Sequence, residues 1–329
     1  MGISTRGSPV ATMTVDQIHT PVMLARTLEL LGPALARENA VVVDATLGIG
    51  GHAEAILERF PGVTLLGIDR DTDALALARE RLAPFGNRVF FQHAVYDQID
   101  RVVKELGFAT VDGILFDLGV SSLQLDEVER GFSYSKDAPL DMRMDATTGV
   151  TAAAILATYS EDDLKRIFYE YGDEKLAPRY ASRIVRQRDQ AALTSSAQLV
   201  DLISAATPAA AKRAGHPAKR VFQALRIEVN QELSVLRDAI PRALDLLGVE
   251  GRMIVLSYQS LEDRIVKRAI GSRVVSTAPR GLPVELPEHR PELKLLVRGA
   301  ELASADERNS NPRSSSVRLR AVERVRGPL

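Results

Sequence analysis

Short apolar runs alternate with amphipathic stretches through the first third of the chain. The runs at 40–44, 64–69, 89–93 and 112–117 lie between polar and turn-forming residues and read as strands. Between them, 51–60, 71–82 and 96–106 repeat apolar residues at helical spacing. Strands this apolar are buried on both faces, so the βαβαβαβ order predicts a parallel sheet covered by helices on each side. A ligand then belongs at the carboxyl ends of the strands.

The alternation stops after Leu118. Residues 119–149 have loop-like composition, whereas 151–211 reads as helix, with windows at 151–158, 161–169, 174–188 and 195–206 and N-cap candidates at Ser160 and Ser195. A long helix over 220–247, or part of it, follows His216-Pro217, and a buried-strand signal returns at 251–258. Runs at 274–277 and 315–322 are candidates for two final strands, and the Pro- and charge-rich 279–311 is expected as loop around a short strand at 293–297. The predicted organisation is an α/β fold interrupted by an all-helical insertion. A flexible N-terminus (1–18) precedes the first part of the α/β domain (19–118), the insertion (119–215), and the second part (216–329) with a flexible C-terminal end.

Composition narrows the classes. Hydrophobic residues make up 45% and charged residues 26% of 329, and no apolar run approaches the roughly 18 residues of a membrane span. No signal-peptide core occurs in the first 17 residues, so a cytoplasmic protein without membrane contact is expected. The absence of cysteine excludes disulfides, thiolate metal sites and a cysteine nucleophile. The five histidines are dispersed, and Asp141 and Asp145 lack evident partners, so no metal site is expected. The net charge of −1 hides an excess of +7 over 164–226, where twelve Lys/Arg face five Asp/Glu. A solvated helix face is the ordinary explanation and a nucleic-acid surface the functional one. Arg179, Arg183 and Arg186 recur there at helical spacing.

The first strand ends in an acid, Asp44, and a glycine turn, Gly48-Ile49-Gly50-Gly51, opens the next helix. Such a turn welcomes a phosphate, but Asp44 would repel one. The acid instead suits a ligand with an ammonium or sulfonium group, and S-adenosylmethionine has both. Asp69 ends the second strand, where a carboxylate accepts ribose hydroxyls or, alternatively, caps the following helix. Tyr96 follows the third strand and packs either on an adenine face or in the core. Asp117 ends the fourth, before the small, hydroxyl-rich Leu118-Gly119-Val120-Ser121-Ser122-Leu123-Gln124.

These residues fall within longer motifs. Asp44-Ala45-Thr46-Leu47-Gly48-Ile49-Gly50-Gly51-His52, Gly67-Ile68-Asp69-Arg70-Asp71 and Asp117 through Asp126 resemble the bacterial ribosomal small-subunit RNA (16S rRNA) cytosine-N4 methyltransferases. Further matches are His19-Thr20-Pro21-Val22, Arg130-Gly131-Phe132-Ser133, Pro139 through Asp145, Tyr171-Gly172-Asp173-Glu174, Ser260 through Lys267 and Asn311 through Ser316. Together they span nearly the whole chain, from His19 to about Val322.

The resemblance implies a Rossmann-like S-adenosylmethionine-dependent methyltransferase domain with an inserted helical substrate-recognition domain. It implies that Gly50, Gly51, His52, Asp69, Tyr96, Asp117 and Gln124 contact S-adenosylmethionine, with Asp44 and Gly48 shaping the pocket floor. The implied substrate is the exocyclic N4 of one cytosine of 16S rRNA, position 1402 in the usual numbering, within the small ribosomal subunit. Two positions depart from the family pattern: Tyr96 replaces a frequent phenylalanine, and Tyr258-Gln259 stands where Phe-His is common. Asp117 binds the adenine amino group in the favoured reading, or alternatively is the candidate catalytic acceptor for the amino protons. Arg179, Arg183 and Arg186 are the candidate RNA contacts.

Three rival readings follow from the sequence. They are a nicotinamide-dependent oxidoreductase, disfavoured by Asp44, a noncatalytic RNA-binding factor, and a methyltransferase acting on DNA or protein. The oligomeric state, monomer or homodimer, stays open.

Overall fold

In the computed structural model of the chain, residues 20–121, 123–124, 127–212, 216–279 and 286–327 are described. The flexible ends expected at 1–18 and at the C-terminus fall wholly or partly outside these residues. Among the described residues, seven strands form one sheet: β1 (Val41–Asp44), β2 (Thr64–Asp69), β3 (Val89–His93), β4 (Val111–Asp117), β5 (Leu247–Ser257), β6 (Leu293–Leu295) and β7 (Arg318–Arg324). Their order is β3-β2-β1-β4-β5-β7-β6. The first five run parallel, and β7 lies antiparallel between β5 and β6.

Side chains alternate between the two faces of the sheet. On one face Val43, Leu66, Ile68, Ile114, Phe116 and Val255 pack against α4 (Ile99–Glu105) and the later helix Glu232–Leu246. On the other, Val42, Leu65, Leu115, Ile254 and Leu256 pack against α1 (Leu24–Leu35), α2 (Gly51–Arg59) and α3 (Thr72–Leu82). The doubly covered α/β sheet thus agrees with the hydrophobic pattern. Helix α1 was not expected, although Thr27, Leu30, Leu31, Ala34 and Leu35 form its buried face at helical spacing. Gly32-Pro33 near its end imitates a turn.

Strand order reverses between β1 and β4, because the chain winds one way through β1, β2 and β3 and the other way from β4 to β5. That leaves a crevice at the carboxyl ends of β1 and β4, where α/β folds bind ligands.

The chain leaves the sheet after β4 and builds a helical body from α5 (Ala152–Thr158), α6 (Glu161–Glu170), α7 (Ala177–Arg188), α8 (Ser196–Ala206), the single turn α9 (Ala209–Lys212) and α10 (Ala218–Asn230). Ser160 and Ser195 cap α6 and α8, the latter in a reciprocal capping box with Gln198. The body has its own apolar core, including Ile155, Leu164, Phe168, Tyr180, Ile184, Ile203, Phe222 and Leu225. This core runs on to Val229, so α10 packs with the helical body although it lies beyond position 215.

Three sequence expectations are corrected. The helix over 220–247 is two helices, α10 and α11 (Glu232–Leu246), separated by Gln231 in the left-handed region at φ 51. Residues 274–277 form no strand, because the Arg273 carbonyl before them accepts from the Glu292 and Leu293 amides and turns the chain. The last strand begins at Arg318, preceded by a 3-10 turn over Pro312–Ser316.

Asn230 fastens the helical body where α10 ends. Its amide nitrogen donates to the Met142 carbonyl (2.7 Å), and its oxygen accepts from the Met144 amide (2.8 Å), in the buried loop before α5. Met142 is held there in a left-handed backbone at φ 61. Asn230→Ala would leave both backbone groups unpaired, so unfolding in urea should show a loss of about 2–4 kcal/mol at unchanged slope. A loss under about 0.5 kcal/mol would show that the clamp carries no energy.

Candidate functional site

The crevice is built from the ends of β1, β2 and β4. Asp44 closes β1 and is buried; one of its oxygens accepts from the Thr46 amide at 3.2 Å. The chain then turns through Gly48 and Gly50 into α2. Gly50 takes φ 82, a conformation costly for any residue with a Cβ. At Gly51 a Cβ would lie 2.7 Å from Pro21 Cγ, so the segment before α1 packs directly on the first turn of α2. That segment is held by the far end of the chain: the Met23 amide donates to Glu307 Oε1 (2.6 Å), and Asn311 Nδ2 donates to the Thr20 carbonyl (3.2 Å). The outlying motifs at 20–22 and 311–316 therefore support the glycine turn; His19 lies outside the described residues.

Asp69 bridges two loops. Its oxygens accept from the Gly48 amide (2.7 Å) and the Asp71 amide (2.8 Å). Asp71, not Asp69, caps α3, accepting from the Asp73 and Ala74 amides. The capping role weighed for Asp69 or its neighbour thus falls to Asp71.

Asp117 ends β4, half-buried. Its amide donates to Thr46 Oγ1 (2.6 Å), and its Oδ1 accepts from the Tyr258 hydroxyl (2.7 Å). Its Oδ2 lies 3.6 Å from His52 Nε2. His52 is buried, and neither ring nitrogen has a hydrogen-bond partner. Sequence reading had no means of finding the Tyr258 contact, which closes a loop of 141 residues.

Acids dominate the electrostatics of this end of the sheet. Burial pushes the Asp44 carboxyl up to about 7; His52 pulls against the shift, and Asp117 and Asp69 add to it. Burial likewise raises Asp69 to about 6, opposed by the amides of Asp71 and Gly48. Among the described residues no Lys or Arg pairs with Asp44, Asp69 or Asp117. A crevice with unpaired carboxyls and an orphaned buried imidazole fits a polar ligand of positive charge, as S-adenosylmethionine is.

Tyr96 meets Phe116 edge-on, with ring centroids 5.7 Å apart, and stays half-buried. Burial drives its phenol well above the usual range, and the hydroxyl points to the Glu232 carbonyl at 3.4 Å. The ring therefore packs on the core, with part of it still accessible. Gln124 is buried, with its amide nitrogen on Asp71 Oδ2 (2.9 Å) and its oxygen accepting from the Ser121 amide (3.1 Å). The same Asp71 oxygen accepts from Arg130 (2.8 Å), which also donates to the Met144 carbonyl (2.8 Å). Asp71 therefore ties the cofactor side of the crevice to the helical body, a role not legible in the sequence.

Asp141 and Asp145 do have partners. Asp141 holds Arg143 through two 2.8 Å contacts, and Asp145 faces His93 at 3.4 Å. Among the described residues no three His, Asp or Glu side chains gather as a metal cage. No helix of the described residues is long and apolar enough to cross a membrane.

The basic segment divides in two. Arg226 is locked to Glu232 (2.8 and 2.9 Å), and Arg188 donates to the Leu156 and Tyr159 carbonyls (3.1 and 2.6 Å). Arg179, Arg183 and Arg186 instead lie exposed along one face of α7, with no acid paired to them among the described residues.

The sequence matches the model of the MraW methylase family over residues 16–325. It is 68% identical over 314 residues to ribosomal RNA small subunit methyltransferase H of Clavibacter michiganensis subsp. michiganensis, covering 95% of this chain and 99% of that protein. The protein of the same name from Leifsonia xyli subsp. xyli is 66% identical over 309 residues, covering 94% and 95%. Among solved structures, an rRNA methylase from Streptococcus thermophilus aligns over 92% of this chain and 98% of that one, at 13% identity and a TM-score of 0.42.

The raised Asp44 carboxyl has a consequence for stability. The folded chain holds this proton more tightly than the unfolded chain, where the value is 3.8, so the contribution is full below about pH 4 and is lost as pH rises through about 7. The stability of the native chain relative to Asp44→Asn should therefore fall by up to about 4 kcal/mol between those limits. Denaturant titrations of both proteins across this range measure it, and a pH-independent difference would refute it.

Proposed function

Since the chain belongs to the MraW methylase family, we propose that it transfers a methyl group from S-adenosylmethionine to the exocyclic N4 of a specific cytosine of 16S rRNA, position 1402 in the usual numbering. The observation that carries this reading is the convergence of Asp44, His52, Asp69 and Asp117 on the crevice at the β1/β4 reversal. Methylation of small-subunit ribosomal RNA is the activity its relatives are named for.

When bound, S-adenosylmethionine supplies a sulfonium-activated methyl group and departs as a neutral thioether. The protein's work is to hold and orient. Asp69 accepts the ribose hydroxyls, Tyr96 presents its accessible face to the adenine, and His52 and Gln124 line the pocket. Gly50 and Gly51 allow close approach of the backbone, and Asp44 forms the floor.

The N4 amine of cytosine is a weak nucleophile because its lone pair is delocalised into the ring. Its N–C bond forms as the C–S bond breaks, and the nitrogen then gives up one proton. In this reading Asp117 accepts it, with the carbonyls of the Leu118–Ser121 turn holding the second amino proton. No strong base is required, since alignment and an acceptor suffice.

The target base must be unstacked to reach a methyl donor in the crevice. The exposed Arg179, Arg183 and Arg186 suit the phosphates flanking such a base. The reading places the protein in the cytoplasm, with the small ribosomal subunit, and holds for a monomer or a homodimer alike.

The test is incubation with labelled S-adenosylmethionine and small subunits lacking the modification, followed by nucleoside analysis. Label in N4-methylcytidine is the expected result; label in any other nucleoside, or none, would sink the proposal. For the arginine face, the triple replacement of Arg179, Arg183 and Arg186 by alanine should weaken RNA binding at least tenfold at moderate salt. It should also flatten the salt dependence by up to about 3 in slope, with cofactor affinity intact. An unchanged salt slope would return these residues to the role of a solvated surface.

A further inference from the structure

The turn that follows β5 adds a residue to the site that no strand-end pattern pointed to. Tyr258 lies on the same side of the sheet as Asp117, and its hydroxyl donates to Asp117 Oδ1 at 2.7 Å. The tyrosine is itself fixed. Its amide donates to Glu262 Oε2 (2.8 Å), which also accepts from the Gln259 amide (3.0 Å), and Glu262 is buried in the first turn of α12 (Ser260–Gly271). The edge of its ring lies over Gly119, where an added Cβ would meet Tyr258 Cδ2 at 3.7 Å. Burial, and after it the charge of Asp117, drive the phenol far above its ordinary range, so it remains a donor at every physiological pH.

Asp117 is thereby held at two points. Its backbone amide is anchored on Thr46 Oγ1, Oδ1 is engaged by Tyr258, and Oδ2 is left facing His52 Nε2 across 3.6 Å. A carboxylate at the end of a strand has several accessible rotamers. A phenol donating to one oxygen selects one of them and dedicates the other oxygen to whatever enters the crevice.

We infer that Tyr258 is a positioning residue for the methyl transfer: it fixes Asp117 so that Oδ2 accepts the proton released from the cytosine amine. This rests on the function proposed above. In the step, the N4 lone pair forms the bond to the methyl carbon while the C–S pair returns to sulfur. The N4 proton then passes to Oδ2 and from there to water. Tyr258 keeps its own proton throughout.

Tyr258→Phe removes the hydroxyl, keeps the ring and restores the residue common in the family, where histidine stands beside it; in this chain Gln259 takes that place and the Asp117 carboxylate depends on the hydroxyl. With saturating cofactor and RNA, kcat for N4 methylation should fall about tenfold, while the RNA KM and the cofactor Kd stay within about twofold. A merely structural role for Tyr258 would raise the RNA KM or weaken the cofactor Kd together with kcat, and that result would overturn the inference. So would an unchanged kcat, or a weakened cofactor Kd with kcat at saturation unchanged, which would assign Asp117 to the adenine alone. The wild-type enzyme run alongside separates the two claims. If it fails to methylate N4, the proposed function falls and this assignment with it; if it succeeds and Tyr258→Phe matches it, only this assignment falls.

Discussion

Unpaired carboxyls gathered at one end of a parallel sheet are the constraint on which the rest of the structure turns. Parallel pairing puts the ends of β1, β2 and β4 side by side, so Asp44, Asp69 and Asp117 cannot avoid one another. Two of them are raised toward neutrality by burial and by their neighbours' charge. Such an arrangement is costly in an empty protein and becomes favourable when a cation enters. The glycine turn, the orphaned imidazole of His52 and the buttress of the 20–23 segment on Gly51 all frame that same space. The acids thus explain both why the first loop lacks the character of a pyrophosphate site and why a sulfonium nucleoside suits it.

Several side chains join the helical body to this wall. Asp71, two positions after Asp69, accepts from Gln124 and Arg130 on the chain leaving β4. Arg70 donates to the Asn230 carbonyl, and Asn230 in turn holds the loop at 142–144. The segment that carries Asp69 is therefore also the anchor for the body that presents Arg179, Arg183 and Arg186. A strand end that served only the cofactor would not need these ties.

Much of this was legible before any coordinates. Strands β2 and β3 match the apolar runs residue for residue, and β1 and β4 differ by one position at their starts. Long apolar runs closed by an acid leave little freedom in where a buried parallel strand ends. The acids stood out as candidate site residues for the same reason. What escaped had no local signature. Gln231 breaks a helix without being a turn-forming residue, and the Val274-Val275 pair looks like a strand but has no neighbouring strand to pair with. Asp71, Asn230 and Tyr258 act on partners 53 to 141 residues away, and sequence spacing contains no term for such contacts.

The central claim is that the acidic end of the sheet is a receptor for a cationic ligand. Calorimetric titration of S-adenosylmethionine at about pH 6.5, in two buffers of unequal ionisation enthalpy, tests it most directly. The Asp44 carboxyl, raised to about 7 in the free protein, should ionise when positive charge arrives beside it. The account predicts net proton release on binding, much reduced in Asp44→Asn. Binding without proton exchange, or with net proton uptake, would contradict it.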